Sequence, residues 1–98
     1  MFGKKETQLT RDYFWNDAST PISVIRIYLT DAKRTLLTAG RNSEDKNPPY
    51  PVASSVIITR NSQNGDVLLD YMQGDKRYAQ EIIYGHTISR VEVKFLTS

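Results

Sequence analysis

The chain has 98 residues, no cysteine, and 13 basic against 11 acidic residues, which gives a formal net charge of +2. This length predicts one domain with a single core. The lack of cysteine excludes disulfides, thiolate metal sites and a cysteine nucleophile. The small charge excess is weaker than the basic stripe that is typical of duplex-DNA binders.

The sequence also bears on location. No apolar run is long enough to span a membrane, and no apolar segment follows the basic start as it would in a secretory signal. We therefore expect a cytoplasmic protein without membrane contact, or a virion or assembly component made in the cytoplasm.

The chain opens with a polar stretch, residues 1–12, that predicts a loose or short helical arm. The densest aromatic cluster follows at Tyr13, Phe14 and Trp15. These rings either close one end of the core or form an exposed interface anchor, because aromatic side chains bury large areas in both settings. A turn that ends in Pro21 comes next.

The segment 22–30 alternates apolar and polar residues and predicts a strand. One face should point into the core. The other carries a cation beside an aromatic ring, either open to a ligand or covered, with the cation paired to a carboxylate. The inward set is Ile25, Ile27 and Leu29, and the outward set is Val24, Arg26 and Tyr28.

A turn at 31–34 and a return strand at 35–39 follow, with a short helix from Asp31 as the alternative. Residues 40–51 form the clearest loop, since three prolines within it cannot donate to a β-ladder. Tyr50 stands between prolines, and the loop is long for so small a domain, which is typical of a functional or mobile segment.

Two strands, 53–60 and 66–72, flank a polar cluster that ends in Asn64-Gly65, a strong hairpin signal. The register stays open between a tight turn on that dipeptide and a five-residue loop over 61–65. The longer loop is favoured because it pairs apolar with apolar residues and places Arg60 opposite Asp66. Apolar residues on both faces predict that the hairpin is buried on both sides.

The last strands are predicted over 79–84 and 88–96, with one helical turn before the first as an alternative. In the second, Val91, Val93 and Phe95 should point inward. The fold expected from these segments is all-β or mostly β. It is a single small antiparallel barrel or sandwich of about six strands, compatible with an OB-like barrel.

The function expected from this pattern is a non-enzymatic protein-protein interaction or assembly module that self-associates as a homo-oligomer. The reasons are the proline-rich loop, the aromatic cluster near the N-terminus, and edge strands with few lysines or prolines, which invite pairing with another chain. The predicted partner-interface residues are Tyr13, Phe14, Trp15 and Tyr50.

A single-stranded nucleic-acid-binding barrel is the alternative, because such domains combine basic grooves with stacking aromatics. The residues that would carry it are Arg26, Tyr28, Lys33, Arg34, Lys76, Arg77 and Tyr78.

A small hydrolase-like enzyme is the third and weakest hypothesis. It would need a pocket that joins His86, the single histidine, to Asp66 or Asp70. One histidine without cysteine falls short of the nitrogen and sulfur ligands that zinc sites use. We therefore expect no catalytic residues, no metal and no cofactor.

Overall fold

A computed structural model describes residues 11–30, 35–39, 50 and 52–96, with only the backbone course for 35–39. These residues form seven β-strands and one short 3-10 turn, which confirms the mostly β prediction. The strands are β1 (Asp12–Trp15), β2 (Ile22–Leu29), β3 (Thr35–Ala39), β4 (Ser55–Arg60), β5 (Val67–Gln73), β6 (Lys76–Ile83) and β7 (Ile88–Phe95). The 3-10 turn, Gly85–Thr87, joins β6 to β7.

The described strands form two sheets rather than one closed barrel. The first has the order β1-β4-β5-β6 and the second has the order β3-β2-β7. The sheets are linked at the β1–β2 corner, where Phe14 and Pro21 form an isolated bridge. All pairings are antiparallel except β1 with β4, which is parallel.

The core lies between the sheets and is filled mainly by β-branched and aromatic side chains, which suit a pleated surface. Ile22, Ile25 and Ile27 of β2 have no exposed surface. The burial of Ile25 and Ile27 confirms the inward face predicted for this strand, although Leu29, the third predicted member, is only half-buried. The buried members contributed by the other elements are Tyr13, Ala53, Val56, Ile58, Val67, Leu69, Tyr71 and Ile88.

The register predicted for the β4–β5 hairpin is wrong by one residue. Ile58 pairs with Leu69 and Arg60 with Val67, so the connection spans six residues, 61–66. Asp66 belongs to this loop because its carbonyl accepts from the N–H of Asn61 at 2.8 Å. This register brings buried residues opposite each other, and a shift by one would have turned one set out of the core.

The hairpin is fully buried on one face only. Ile57 and Leu68, on the outer face, are half-buried, so the prediction of burial on both sides is wrong for that face. At the chain's end, Phe95 was predicted to point inward but is exposed. Val91 and Val93 are half-buried and pack against the core as expected.

Strand β1 is the element that the sequence prediction missed, since residues up to 12 were expected in a loose arm and the aromatic cluster was given no strand. Four residues are too few to show a period, and the partner strand lies more than 40 residues away along the chain.

The turn after β1 is held by Asp17. Its carboxylate accepts from the Ser19 hydroxyl and from the Ser19 N–H at 2.8 Å, which lowers the pKa of Asp17.

Candidate functional site: the edge strand and its tyrosine cluster

Strand β6 forms an edge of the four-stranded sheet and carries two of the five large apolar side chains that are exposed among the described residues. Tyr78 is 51% exposed and Ile82 is 47% exposed, and Tyr84, just after the strand, is 57% exposed. An edge strand also presents backbone N–H and C=O groups that a further strand can pair with. This combination makes β6 the best candidate for an interaction surface.

The two halves of β6 differ in how open they are to such pairing. The first half carries Lys76 and Arg77 and an irregular register near Tyr78, features that discourage edge pairing. The second half, 79–83, pairs regularly with β5 and has one charged residue, Glu81. Residues 79–83 are therefore the part of the edge that is suited to accept another strand.

A cluster of three tyrosines braces β6 from the core side. The ring of Tyr50 lies 4.7 Å from that of Tyr71 and 6.0 Å from that of Tyr78, in tilted and edge-to-face arrangements that aromatic pairs prefer. The hydroxyl of Tyr71 donates to the Glu81 carboxylate at 2.7 Å. The cluster thus connects the buried strand β5 to both halves of the edge strand.

Arg11 closes the inner end of this tyrosine cluster although it is a buried cation. Its Nε donates to the carbonyl of Ala53 at 3.1 Å, and one terminal nitrogen donates to the carbonyl of Tyr50 at 2.6 Å. Its guanidinium carbon lies 5.8 Å from the centre of the Tyr71 ring. Tyr50 itself has a φ of 52°, an uncommon conformation for tyrosine. The two hydrogen bonds from Arg11 and Ala53 to its carbonyl hold it there.

Burial and the bond to Glu81 raise the pKa of Tyr71 well above its usual value of 10.0. The folded protein therefore keeps this proton at a pH where the unfolded chain has lost it. This contribution to stability is complete below pH 10 and is lost as the pH rises above it. One such proton changes the free energy of unfolding by about 1.4 kcal/mol per pH unit in that range.

We expect Tyr71→Phe to remove this part of the alkaline sensitivity. The variant should be about 1 kcal/mol less stable at neutral pH, since it lacks one hydrogen bond. Its stability should then fall less steeply than that of the wild type above pH 10. Urea unfolding across the alkaline range measures both effects. Parallel stability profiles for the two proteins would contradict the role given to Tyr71.

A second polar cluster lies on the outer face of the other sheet. Glu92 of β7 accepts from the Tyr28 hydroxyl at 3.0 Å and forms ion pairs with Arg26 at 3.9 Å and with Arg90 at 3.3 Å. The guanidinium of Arg90 lies over the Tyr28 ring at 4.5 Å. Arg26 therefore pairs with a carboxylate, as one of the two expectations for this face held, but it is not covered, since its side chain is 39% exposed.

The predicted interface residues occupy different environments. Tyr13 is buried in the core, and Phe14 and Trp15 are half-buried on β1. Tyr50 is half-buried in the tyrosine cluster. The structure thus brings Tyr50 to the edge strand. Tyr13 instead belongs to the core, which was one of the two alternatives expected for the aromatic cluster.

The predicted nucleic-acid residues do not gather in one place. Arg26 and Tyr28 lie on the three-stranded sheet, while Lys76, Arg77 and Tyr78 lie at the far end of the edge strand of the other sheet. Lys33 and Arg34 lie outside the described residues, as does the loop 40–51 apart from Tyr50. Arg77 is paired with Asp70 at 3.6 Å.

The three residues considered for an enzyme, His86, Asp66 and Asp70, make separate structural contacts. His86 is exposed in the 3-10 turn, where its ring stacks against Tyr84 at 6.1 Å. The Asp66 carboxylate accepts from the N–H of Gly85 at 2.6 Å, and that of Asp70 accepts from Gln80 at 2.6 Å. Within the part of the chain that the structure describes, no group of three potential ligands is placed to hold a metal.

Sequence reasoning missed four residues of this site: Arg11, Glu81, Ile82 and Tyr84. Arg11 was placed in a loose arm, and nothing local distinguishes a buried arginine from a solvated one. The signal for Ile82 was present, because the segment was predicted as a strand, but its position at a sheet edge depends on strand order. Strand order follows from contacts that are distant in sequence.

In the described residues, no helix has the length and apolar character needed to cross a membrane. No protein-family model, curated protein or solved structure matches this chain.

Proposed function

We propose that this protein is a self-associating assembly module whose contact is the β6 edge strand. The observation that supports it is the coincidence, on one eight-residue edge, of backbone pairing positions that no described strand occupies with the exposed side chains of Tyr78 and Ile82. A second copy of the chain adds its own β6 antiparallel to the first, so that two four-stranded sheets become one continuous sheet. Strand addition of this kind derives affinity from the backbone and specificity from the side chains.

The sequence of β6 is complementary to itself in that orientation. A two-fold axis through Gln80 pairs Ala79 of each copy with Glu81 of the other in the regular half of the strand, and it sets Tyr78 and Ile82 at the two ends of this contact. The basic residues Lys76 and Arg77 precede this centre and the acidic Glu81 follows it. With the axis at Gln80, Glu81 of each copy lies opposite Ala79 of its counterpart, and Arg77 of that counterpart is the diagonal neighbour of Glu81.

The tyrosine cluster prepares the strand for this contact. Glu81 is held by Tyr71, and Tyr78 rests against Tyr50, so two residues of the edge are already ordered before a partner arrives. Side chains ordered in advance lose less conformational entropy on binding. The role of Tyr50 as an interface residue is thus that of a support for Tyr78.

The variant that tests this proposal is Ile82→Lys. A charge within this contact should weaken dimerisation by at least about 2 kcal/mol, or about 30-fold. The fold should survive, because Ile82 is half exposed in the single chain. Light scattering coupled to size exclusion, from micromolar to millimolar protein, gives the mass of each variant.

Val52→Lys is the matched control, since Val52 is 50% exposed and lies outside β6. It adds the same charge to an equally exposed apolar site and should leave the dimer unchanged. A wild type that stays monomeric throughout, or equal weakening by both substitutions, would refute the β6 contact.

A further inference from the structure

The outer face of the three-stranded sheet presents three cations around a single carboxylate. Arg26 of β2 and Arg90 of β7 both pair with Glu92, and Lys94 continues the row along β7. We propose that this face binds single-stranded nucleic acid, with the two arginines and Lys94 on phosphates and with Tyr28 and Arg90 as the stacking surface. The proposal does not rest on the β6 contact.

The charge balance of this cluster supports a phosphate ligand. Glu92 is shared between two guanidinium groups and also accepts from Tyr28, so one carboxylate cannot neutralise both arginines. The side chain of Arg90 is 61% exposed, which leaves donors available to an incoming anion. Arginine binds phosphate well because its planar fork can donate two parallel hydrogen bonds.

The register of the sheet sets these groups in line. Lys94 pairs with Val24, Glu92 with Arg26, and Arg90 with Tyr28, so the cations follow the strand direction on one face. Arg90 and Lys94 are about 13 Å apart along the strand at the rise of an extended chain. A flexible single strand laid along β7 would meet both cations, with Arg26 beside them.

Tyr28 and Arg90 favour a nucleic-acid strand over other anions. The guanidinium lies over the tyrosine ring at 4.5 Å, which makes a layered surface that a base can extend by stacking. Bases stack on aromatic rings and on arginine planes without regard to sequence. A lipid surface has no base to stack on the Arg90–Tyr28 pair. Membrane binding would instead use apolar side chains that insert into the bilayer.

Fluorescence anisotropy with a labelled oligothymidylate of about 12 nucleotides tests the assignment. The full chain should bind at low salt and release as the salt is raised. The double variant Arg26→Gln/Arg90→Gln should bind more weakly. The slope of log affinity against log salt concentration should be smaller in magnitude by about 1.4 for this variant, since each phosphate contact on a single strand contributes about 0.7 to the slope. Tyr28→Leu should lower the affinity about tenfold, by loss of stacking.

Arg60→Gln/Arg77→Gln is the matched control, because it removes the same charge from the other sheet. It should leave most of the affinity and the salt slope in place. Equal losses in the two double variants, or no binding at low salt, would overturn the assignment. Binding to anionic lipid vesicles without binding to the oligonucleotide would also overturn it. Ile82→Lys should bind the oligonucleotide as the wild type does, so a failure of the β6 proposal is visible separately.

Discussion

Gly85→Ala is expected to lower the free energy of unfolding by about 3 kcal/mol, the upper part of the range for inserting a methyl group where there is no space. A Cβ at this position would overlap the carbonyl oxygen of Asn64. It would also lie 2.7 Å from the carbonyl carbon of Gly65 and 3.0 Å from the nitrogen of Asp66. All three atoms belong to the backbone, so no side-chain rotation relieves the overlap.

The same substitution would disturb the junction between the two sheets. The N–H of Gly85 donates to the Asp66 carboxylate at 2.6 Å, and the N–H of Asp66 donates within its own loop to the Asn64 side-chain oxygen at 2.9 Å. Displacing Gly85 breaks the contact between the β4–β5 loop and the turn that leads into β7. We therefore expect the loss of stability to include weaker docking of β7.

Gly74→Ala is the matched control for this prediction. Gly74 has a left-handed φ of 67° but no atom within 4 Å of an added Cβ. Its replacement should cost only the conformational penalty, about 1 kcal/mol. Urea unfolding followed by the single tryptophan, Trp15, compares the two variants. Equal effects at Gly74 and Gly85 would mean that the turn adjusts without strain, contrary to the close approach described.

Arg11→Met is expected to lower the free energy of unfolding by about 3 kcal/mol. The substitution keeps an apolar stem of similar length but removes the charge-assisted bonds to the carbonyls of Ala53 and Tyr50, each worth about 1.5–3 kcal/mol. Tyr50 retains one bond, from the N–H of Ala53 at 3.0 Å. The carbonyl of Ala53, which lies in a fully buried residue, loses the bond from Arg11.

Arg11→Lys separates geometry from charge at this site. A lysine can reach one of the two carbonyls but cannot present the planar fork that reaches both. It should fall between the wild type and Arg11→Met in urea unfolding. If Arg11→Met were as stable as the wild type, the two bonds from the guanidinium would be offset by its desolvation, and Arg11 would not be the anchor of the tyrosine cluster.

The parts of the fold that sequence predicted are those governed by a regular period. Strand β2 alternates over eight residues, and the position of Ile25 and Ile27 in the core followed directly. Each of the six predicted strands has a counterpart within a few residues. These segments are long enough for one buried face to determine the pattern.

What sequence did not predict depends on pairing between distant segments. The expected register of β4 with β5 depends on matched apolar residues and on an Arg60–Asp66 pair, whereas the Asp66 carboxylate accepts instead from the N–H of Gly85, a residue on another element. Strand β1 exists because β4 offers it a parallel partner. The exposure of Ile82 also depends on the order of the strands, since β6 lies at the edge of its sheet.

The two proposed surfaces lie on different sheets, so they can operate together. Self-association along β6 leaves the outer face of β2 and β7 in each copy free, and a dimer would present two such faces. A strand long enough to reach both would bind more tightly than one that reaches a single face. This expected gain should disappear in Ile82→Lys, while the affinity for a short oligonucleotide stays the same.

Amide hydrogen exchange of the β6 backbone at low and high protein concentration tests the central claim most directly. An added strand protects N–H groups that point away from β5, so protection should increase with concentration at residues 79–83. The other edge strands, β1, β3 and β7, should show no such change. Dimer formation without increased protection at 79–83, or protection centred on another strand, would contradict β6 as the self-association contact.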